Sequence, residues 1–249
     1  MKLTERFNPF RADADPLSAY LADFRIEVDY FTHWPQQDFK TLQNLVSTRI
    51  KLVLQTQGRA DLTAQNEHFL LAPGSVMFIP PYCVYSASTF DHVDSYEVFF
   101  NLHPYAREHG FLQQFGFTRI LHFPKVMTPA HIAALTSCYE DVRACRPGCY
   151  AQLRALLHLL LIRLIRLQNT PALPAENSSR EQYVISRLFE YLEAHLNQPV
   201  HVDRLCAALH VSQSHLYRCS RHVMNCSTQQ LVIRYKLRHA QMLLKNPEL

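Results

Sequence analysis

The chain has 249 residues, a hydrophobic content of 48% that is ordinary for a soluble globular protein, and a formal net charge of +4 at pH 7. The length suffices for two domains with separate cores, and 5 glycines with 14 prolines are not the composition of a low-complexity protein. The first residues lack the apolar core of a signal peptide, and the most apolar run, 155–165, is too short to cross a membrane. The seven cysteines are an odd number without framework spacing, so we expect reduced thiols in a cytoplasmic protein.

The first hundred residues have the pattern of a β-rich domain. Short runs of β-branched and aromatic residues are separated by turn sequences such as Pro73-Gly74 and Pro80-Pro81. A succession of short strands with such turns between them is typical of a sandwich or a barrel. The runs that we expect to form strands are 24–31, 48–56, 67–72, 76–79 and 95–102.

Two helices are predicted after residue 103. The first spans 128–145, because Thr128 suits an N-cap and Pro129 suits the first helical position. The second spans 150–167 and is leucine-rich around most of its circumference, which indicates burial on several sides. Two alternatives explain this burial. The helix packs only within its own chain, or it also packs against a second copy in a homodimer.

The last third of the chain changes in composition. Residues 168–180 contain two prolines and a polar cluster without periodicity, and we expect a linker there. Residues 181–249 have helical periodicity throughout. Between Arg204 and Lys245 there are seven lysines and arginines and no aspartate or glutamate. A helical segment with charge of one sign suits the phosphate backbone of nucleic acid.

A helix-turn-helix is predicted within this basic segment. Ser212 can cap a helix on which Leu216 and Val223 are spaced to face the core. The residues expected on its exposed side are Gln213, Ser214, Tyr217, Arg218 and Arg221. The first residues of such a helix enter the major groove, where arginine and glutamine can contact base edges in bidentate fashion. An exposed polar helix face is more often merely solvated, but the lack of acidic residues here favours contact with DNA.

Further basic residues follow the predicted reading helix. They are Arg234, Lys236, Arg238 and Lys245. Because they lie beyond the residues that would read bases, we expect them to contact phosphate or to connect domains.

The segment resembles the first half of the DNA-binding domain of the AraC/XylS family of bacterial transcription regulators. The matching residues are Leu205 and Ala207, then Ser212, Leu216 and Arg218, then Lys236, Leu237, Ala240, Leu243 and Leu244. The resemblance implies base reading by Ser214, Tyr217 and Arg218, with Gln213 as a further candidate. It also implies an N-terminal cupin-like β-barrel followed by helices, in agreement with the pattern of residues 1–167.

The chain departs from the family pattern in three places. Cys219 and Ser220 stand where the family usually has Phe-Lys, and the smaller Cys219 predicts less filling of the core under the helix. Asn225 stands where glycine is usual, which is a mild change because asparagine tolerates a left-handed backbone. The family domain has two helix-turn-helices, and the sequence ends at Leu249 after the first. The resemblance therefore predicts a C-terminally truncated family member.

The predicted barrel lacks the ligands of a metal-binding cupin. Residues 72–86 resemble the second conserved strand pair of cupins, but Tyr85 holds the position of a metal-binding histidine and His68 stands alone. We therefore expect no metal, no cofactor and no enzymatic activity, and instead a cavity for a sugar or another small metabolite. The candidate effector-binding residues are His33, Trp34, Lys51, His68, Tyr82 and Tyr85, with Phe99 and Asn101 as further candidates. Residue by residue, an ordinary core position explains each of them better than ligand binding does.

The sequence thus predicts an α+β protein, in which a cupin-like β-barrel with supporting helices is linked to an all-α helix-turn-helix domain. The effector-binding and dimerisation domain is expected at 1–167, the linker at 168–180 and the partial DNA-binding domain at 181–249. The predicted partners are double-stranded DNA, a small-molecule effector and a second copy, with RNA polymerase as a further candidate and no membrane. The alternative is a truncated sensor and dimerisation protein without competent DNA binding, which modulates a full-length relative.

Overall fold

A computed structural model describes residues 17, 21, 24–37, 41–64, 67–81, 83–168, 180–224 and 226–245. The strands are β1 Arg25–Gln37, β2 Leu42–Val46, β3 Ile50–Gln57, β4 Ala60–Ala64, β5 Glu67–Leu71, β6 Val76–Ile79, β7 Val84–Thr89, β8 Val93–His103 and β9 Leu121–Phe123. The helices are α1 Tyr105–Gln114, α2 Pro129–Arg143, α3 Cys149–Leu167, α4 Arg180–Ala194, α5 Val202–Leu209, α6 Gln213–Met224 and α7 Thr228–Lys245. The prediction of a protein that combines β-strands with α-helices is confirmed.

The strands form two separate antiparallel sheets. The large sheet has the order β1-β8-β3-β6-β9 and the small sheet has the order β2-β7-β4-β5. The expectation of a closed barrel is therefore wrong. Except for β4–β5 and β8–β9, consecutive strands lie in different sheets. At the turn from β3 to β4, Gly58 has a φ of 69° and a Cβ atom would lie 2.3 Å from the carbonyl oxygen of His92. The pattern of runs and turns predicts strands, but it does not determine which edges pair.

The large sheet is buried on both faces. On β3, Ile50, Leu52 and Leu54 belong to the core beneath α1, α2 and α3, whereas the alternate residues Lys51 and Val53 point towards the small sheet. Because successive side chains of a strand point to opposite faces, β3 and β8 each contribute to two layers. The order of layers is therefore helices, large sheet and small sheet.

The helices α4, α5, α6 and α7 enclose a core of their own. Its buried residues are Val184, Ile185, Leu188, Phe189, Leu192, Leu205, Cys206, Leu216, Cys219, Cys226, Leu231 and Tyr235. Helix α1, which follows β8, packs against both β8 and α4. The predicted linker lies outside the described residues apart from Gln168 and Arg180.

All seven cysteines are free thiols. No helix in the described ranges combines the length and the apolar character that crossing a membrane requires.

We expect Phe100→Ala to lower the free energy of unfolding by about 3–5 kcal/mol, since Phe100 is fully buried on β8, an interior strand of the large sheet. Phe90→Ala is the matched control, because Phe90 is 61% exposed, and it should cost about 0.5 kcal/mol or less. Urea denaturation measures both values. Equal losses in the two variants would contradict the placement of β8 between two cores.

Candidate functional site

The turn between α5 and α6 is short and fixed by local hydrogen bonds. His210 adopts a left-handed conformation with a φ of 54°, and the amide of Val211 donates to the carbonyl of Cys206 at 3.1 Å. Ser212 then caps α6, because its Oγ accepts a hydrogen bond from the amide of His215 at 3.2 Å. Helix α6 therefore starts at a defined position immediately after α5.

One face of α6 is exposed and carries the predicted reading residues. This α6 face consists of Gln213, Ser214, Tyr217, Arg218 and Arg221, all of which are exposed. Leu216 and Cys219, on the opposite side of the helix, are fully buried in the core of α4–α7. The helical period thus brings the five predicted side chains together on one surface.

Polar contacts within the chain hold several side chains of the α6 face. The Nε of Arg221 donates to the hydroxyl of Tyr217 at 3.0 Å, and its guanidinium lies over the Tyr217 ring at 5.4 Å from the centroid. The amide nitrogen of Gln213 donates to the carboxylate of Asp203 on α5. These contacts pre-orient the side chains.

Glu181, at the start of α4, is an acidic partner of the α6 face that the sequence did not reveal. Its Oε1 lies 3.7 Å from the Nε of Arg218, and its Oε2 bonds to Nδ1 of His222. The hydrogen bond from His222 is the largest cause of a lowered pKa of Glu181. Burial opposes this effect, and the charges of His222 and Arg218 lower the pKa of Glu181 further. Arg218 also donates to Nδ1 of His215 at 2.8 Å. The arginine is therefore held by one carboxylate and one imidazole.

The basic residues of α7 make different contacts. Arg234 is half-buried and its side chain hydrogen-bonds to Cys226. The Nζ of Lys236 donates to the carbonyl of Gln198. The side chains of Arg238 and Lys245 lie outside the described residues. The structure does not place Arg234 and Lys236 on the α6 face.

A cavity of about 300 Å³ lies between the two sheets. Its lining residues come from β1 to β5, from β7 and β8, and from the turn after β2. They are Trp34, Leu42, Leu45, Ser47, Lys51, Val53, Gln55, Ala60, Asp61, Leu62, Leu71, Tyr85, Ala87, Val93, Ser95, Glu97 and Phe99. Trp34 and Leu42 are about two-fifths exposed and mark the mouth of the cavity. Aliphatic and aromatic side chains form most of its wall.

A buried lysine forms a polar cluster in this wall. The Nζ of Lys51 lies 2.8 Å from Oε1 of Glu97, donates to the hydroxyl of Tyr85 at 2.9 Å and lies 5.0 Å from the centroid of the Phe99 ring. Burial is the largest single effect on the pKa of Lys51 and acts to lower it. The charges of Glu97 and Tyr85 and the hydrogen bonds to both residues together outweigh burial, so the pKa of Lys51 is raised. Burial raises the pKa of Tyr85, and Lys51 opposes that rise. At neutral pH the Lys51 side chain is therefore charged and lies beside a protonated phenol.

A β-bulge explains which predicted residues of β1 reach the cavity. The register with β8 shifts between Val28 and Tyr30, which places one extra residue in β1. Beyond that shift the faces are exchanged, so Trp34 lines the cavity while His33 turns to the helices. There the His33 ring stacks on Tyr96 with centroids 4.3 Å apart.

The remaining predicted effector residues are distributed over different surroundings. Tyr82 lies outside the described residues. His68 is exposed, and its Nδ1 lies 3.3 Å from the carboxylate of Asp61. Asn101 is buried and donates to Asp29 at 3.2 Å, and it does not line the cavity. Within the described ranges, no group of three or more His, Cys, Asp or Glu side chains is arranged to hold a metal ion.

Comparison of the sequence with protein families and with curated proteins gave no match. Among solved structures, an apo single-residue variant of ToxT from Vibrio cholerae superposes with a TM-score of 0.57 at 10% identity, over 89% of this chain and 82% of ToxT. ToxT bound to (E)-4-(8-methylnaphthalen-1-yl)but-3-enoic acid gives a TM-score of 0.55 at 14% identity, over 90% and 85% of the two chains. The AraC-like transcriptional activator CuxR gives 0.41 at 14% identity, over 90% and 89%. The chain thus shares the ToxT fold over most of its length.

Proposed function

We propose that this chain is a DNA-binding transcriptional regulator of the AraC/XylS type that responds to a small molecule. The observation that carries the proposal is the α6 face, which presents Arg218, Arg221, Gln213 and Tyr217 on one exposed surface of a capped helix. In the proposed complex α6 lies in the major groove, and the cavity between the sheets holds the effector.

The geometry of α6 suits the reading of base edges. The major groove admits one α-helix, and the first residues of that helix reach furthest into it. Arg218 and Gln213 stand in the first half of α6. When the helix binds DNA, Arg218 replaces its contacts to Glu181 and His215 by contacts to bases, and Gln213 replaces its contact to Asp203 in the same way. Without DNA, the side chains of Arg218 and Gln213 therefore make weak, exposed polar contacts within the chain, which contacts to duplex DNA can replace.

The cavity supports a small apolar effector more than a sugar. A sugar needs a polar partner for each of several hydroxyl groups, whereas most of this wall is aliphatic or aromatic. A solved ToxT structure, which shares this fold, contains a naphthalene derivative with a short acid chain. An effector with a compact apolar body suits the mostly aliphatic and aromatic wall of this cavity.

A continuous series of contacts leads from the cavity to the α6 face. Strand β8 supplies Glu97 and Phe99 to the cavity and leads directly into α1. Helix α1 packs on α4, and α4 packs on α6 and carries Glu181, the partner of Arg218. An effector that moves β8 relative to α1 can thereby change how firmly Arg218 is held.

We propose homodimer formation through α3. Its outer surface exposes apolar side chains, including Leu159 at 68% exposure. A helix face of this kind is suited to packing against a second copy. Two copies would then engage two half-sites about one helical turn apart or a multiple of that distance.

We expect Arg218→Ala to erase base preference at one position of each half-site, because its guanidinium can contact a guanine in bidentate fashion. Arg187→Ala is the matched control. Arg187 is an exposed arginine on α4 that pairs with Glu190 at 3.1 Å and lies outside the α6 face. Selection from a random duplex library with wild type and both variants measures the effect.

The wild-type chain should enrich a motif with paired half-sites, and Arg187→Ala should enrich the same motif. Lack of any enriched motif with the wild-type chain, at low and at near-physiological salt, would contradict the proposed function. An unchanged motif with Arg218→Ala would contradict the assigned role of Arg218.

We expect Glu181→Gln to increase affinity for duplex DNA by about twofold to fivefold at low salt, because the carboxylate both holds Arg218 and repels phosphate. Glu190→Gln, on the same helix, is the control and should leave affinity unchanged. Fluorescence anisotropy of a labelled duplex measures both. Weaker binding by Glu181→Gln would show that the carboxylate supports the bound conformation instead.

A further inference from the structure

The polar cluster of the cavity allows the chemical class of the effector to be inferred. We propose that the effector is an uncharged apolar molecule with a single hydroxyl group, and that the cavity rejects carboxylates. This inference rests on the proposed role of the cavity as an effector site, and it concerns Lys51, Glu97 and Tyr85.

The charges of the cavity disfavour an anionic ligand. Its wall contains one lysine, Lys51, and two carboxylates, Glu97 and Asp61. The ammonium of Lys51 is already paired with Glu97 at 2.8 Å. A ligand carboxylate placed beside Lys51 would bring a second anion close to Glu97, in surroundings that screen charge poorly. A ligand ammonium at the same place would face Lys51.

The hydrogen-bonding groups of the cluster complement a hydroxyl. The Tyr85 oxygen accepts the bond from Lys51, so the phenolic proton is directed to another acceptor. Oε1 of Glu97 pairs with Lys51, and a carboxylate has further lone pairs that can accept a second hydrogen bond. A ligand hydroxyl can accept from Tyr85 and donate to Glu97. A carbonyl can satisfy only Tyr85.

The rest of the cavity suits a flat or compact apolar body. Leu45, Leu62, Leu71 and Val93 contribute aliphatic surface, and the ring of Phe99 lies beside the ammonium of Lys51. A volume of about 300 Å³ is at the lower end of the range for small-molecule sites. A bicyclic aromatic molecule with one hydroxyl group meets both requirements.

The test compares ligands that share one ring system. Isothermal titration calorimetry of the full chain at pH 7 uses 2-naphthol, 2-naphthoate, naphthalen-2-ylmethylamine and naphthalene. We expect 2-naphthol to bind about tenfold more tightly than each of the other three, because they leave the hydrogen bonds unmade or add an unpaired charge.

Variants then assign the effect to the cluster. Glu97→Gln removes the competing anion, so the affinity for 2-naphthoate should rise about tenfold while 2-naphthol still binds. A gain of binding cannot arise from unfolding. Tyr85→Phe should lower the affinity for 2-naphthol about tenfold and leave naphthalene unaffected. Tyr150→Phe, at an exposed tyrosine of α3, is the matched control and should change nothing.

The different failures have different meanings. Binding of 2-naphthoate by the wild type as tightly as 2-naphthol would overturn the inferred ligand class and leave the cavity as an effector site. Failure of all four compounds to bind would overturn both the inferred class and the proposed effector site. DNA binding is measured separately by library selection. Neither of these ligand-binding results therefore bears on the proposed role of α6.

Discussion

The burial of the large sheet on both faces is the constraint on which the rest of the structure depends. Strands β3 and β8 lie between the helices and the small sheet, so most residues along them face one of two interiors. A charged residue on such a strand is stable only when it is paired. Lys51 meets this condition through Glu97 on the adjacent strand, and the pair forms a polar cluster in a cavity whose wall is mostly aliphatic and aromatic.

The same strands connect the cavity to the helices. Strand β8 carries cavity residues on one face and core residues on the other, and it leads into α1, which packs on α4. Helix α4 in turn carries Glu181, whose carboxylate holds Arg218. Sensing and DNA reading, as proposed, therefore share one set of packed elements.

Features set by local periodicity could be predicted from the sequence, and features set by pairing could not. The runs 48–56 and 76–79 closely match β3 and β6, and the helical period placed Arg218 on an exposed face. Strand β4, with the sequence ADLTA, lacks β-branched and aromatic residues apart from one threonine, and it is stabilised by its neighbours in the small sheet. The pairs Lys51–Glu97 and Glu181–Arg218 join residues far apart in the chain, and a bulge decided that Trp34 rather than His33 reaches the cavity.

Hydrogen exchange of the full chain, with and without a duplex of mixed sequence at low salt, tests most directly whether α6 is the surface that contacts DNA. Amide exchange slows where a bound partner suppresses local opening. The proposed function predicts that duplex DNA protects peptides covering 212–224, the cap and length of α6, more than peptides from α2 and α3. Protection confined to other elements, or absent despite measured binding, would contradict the assignment of the α6 face as the DNA-reading surface.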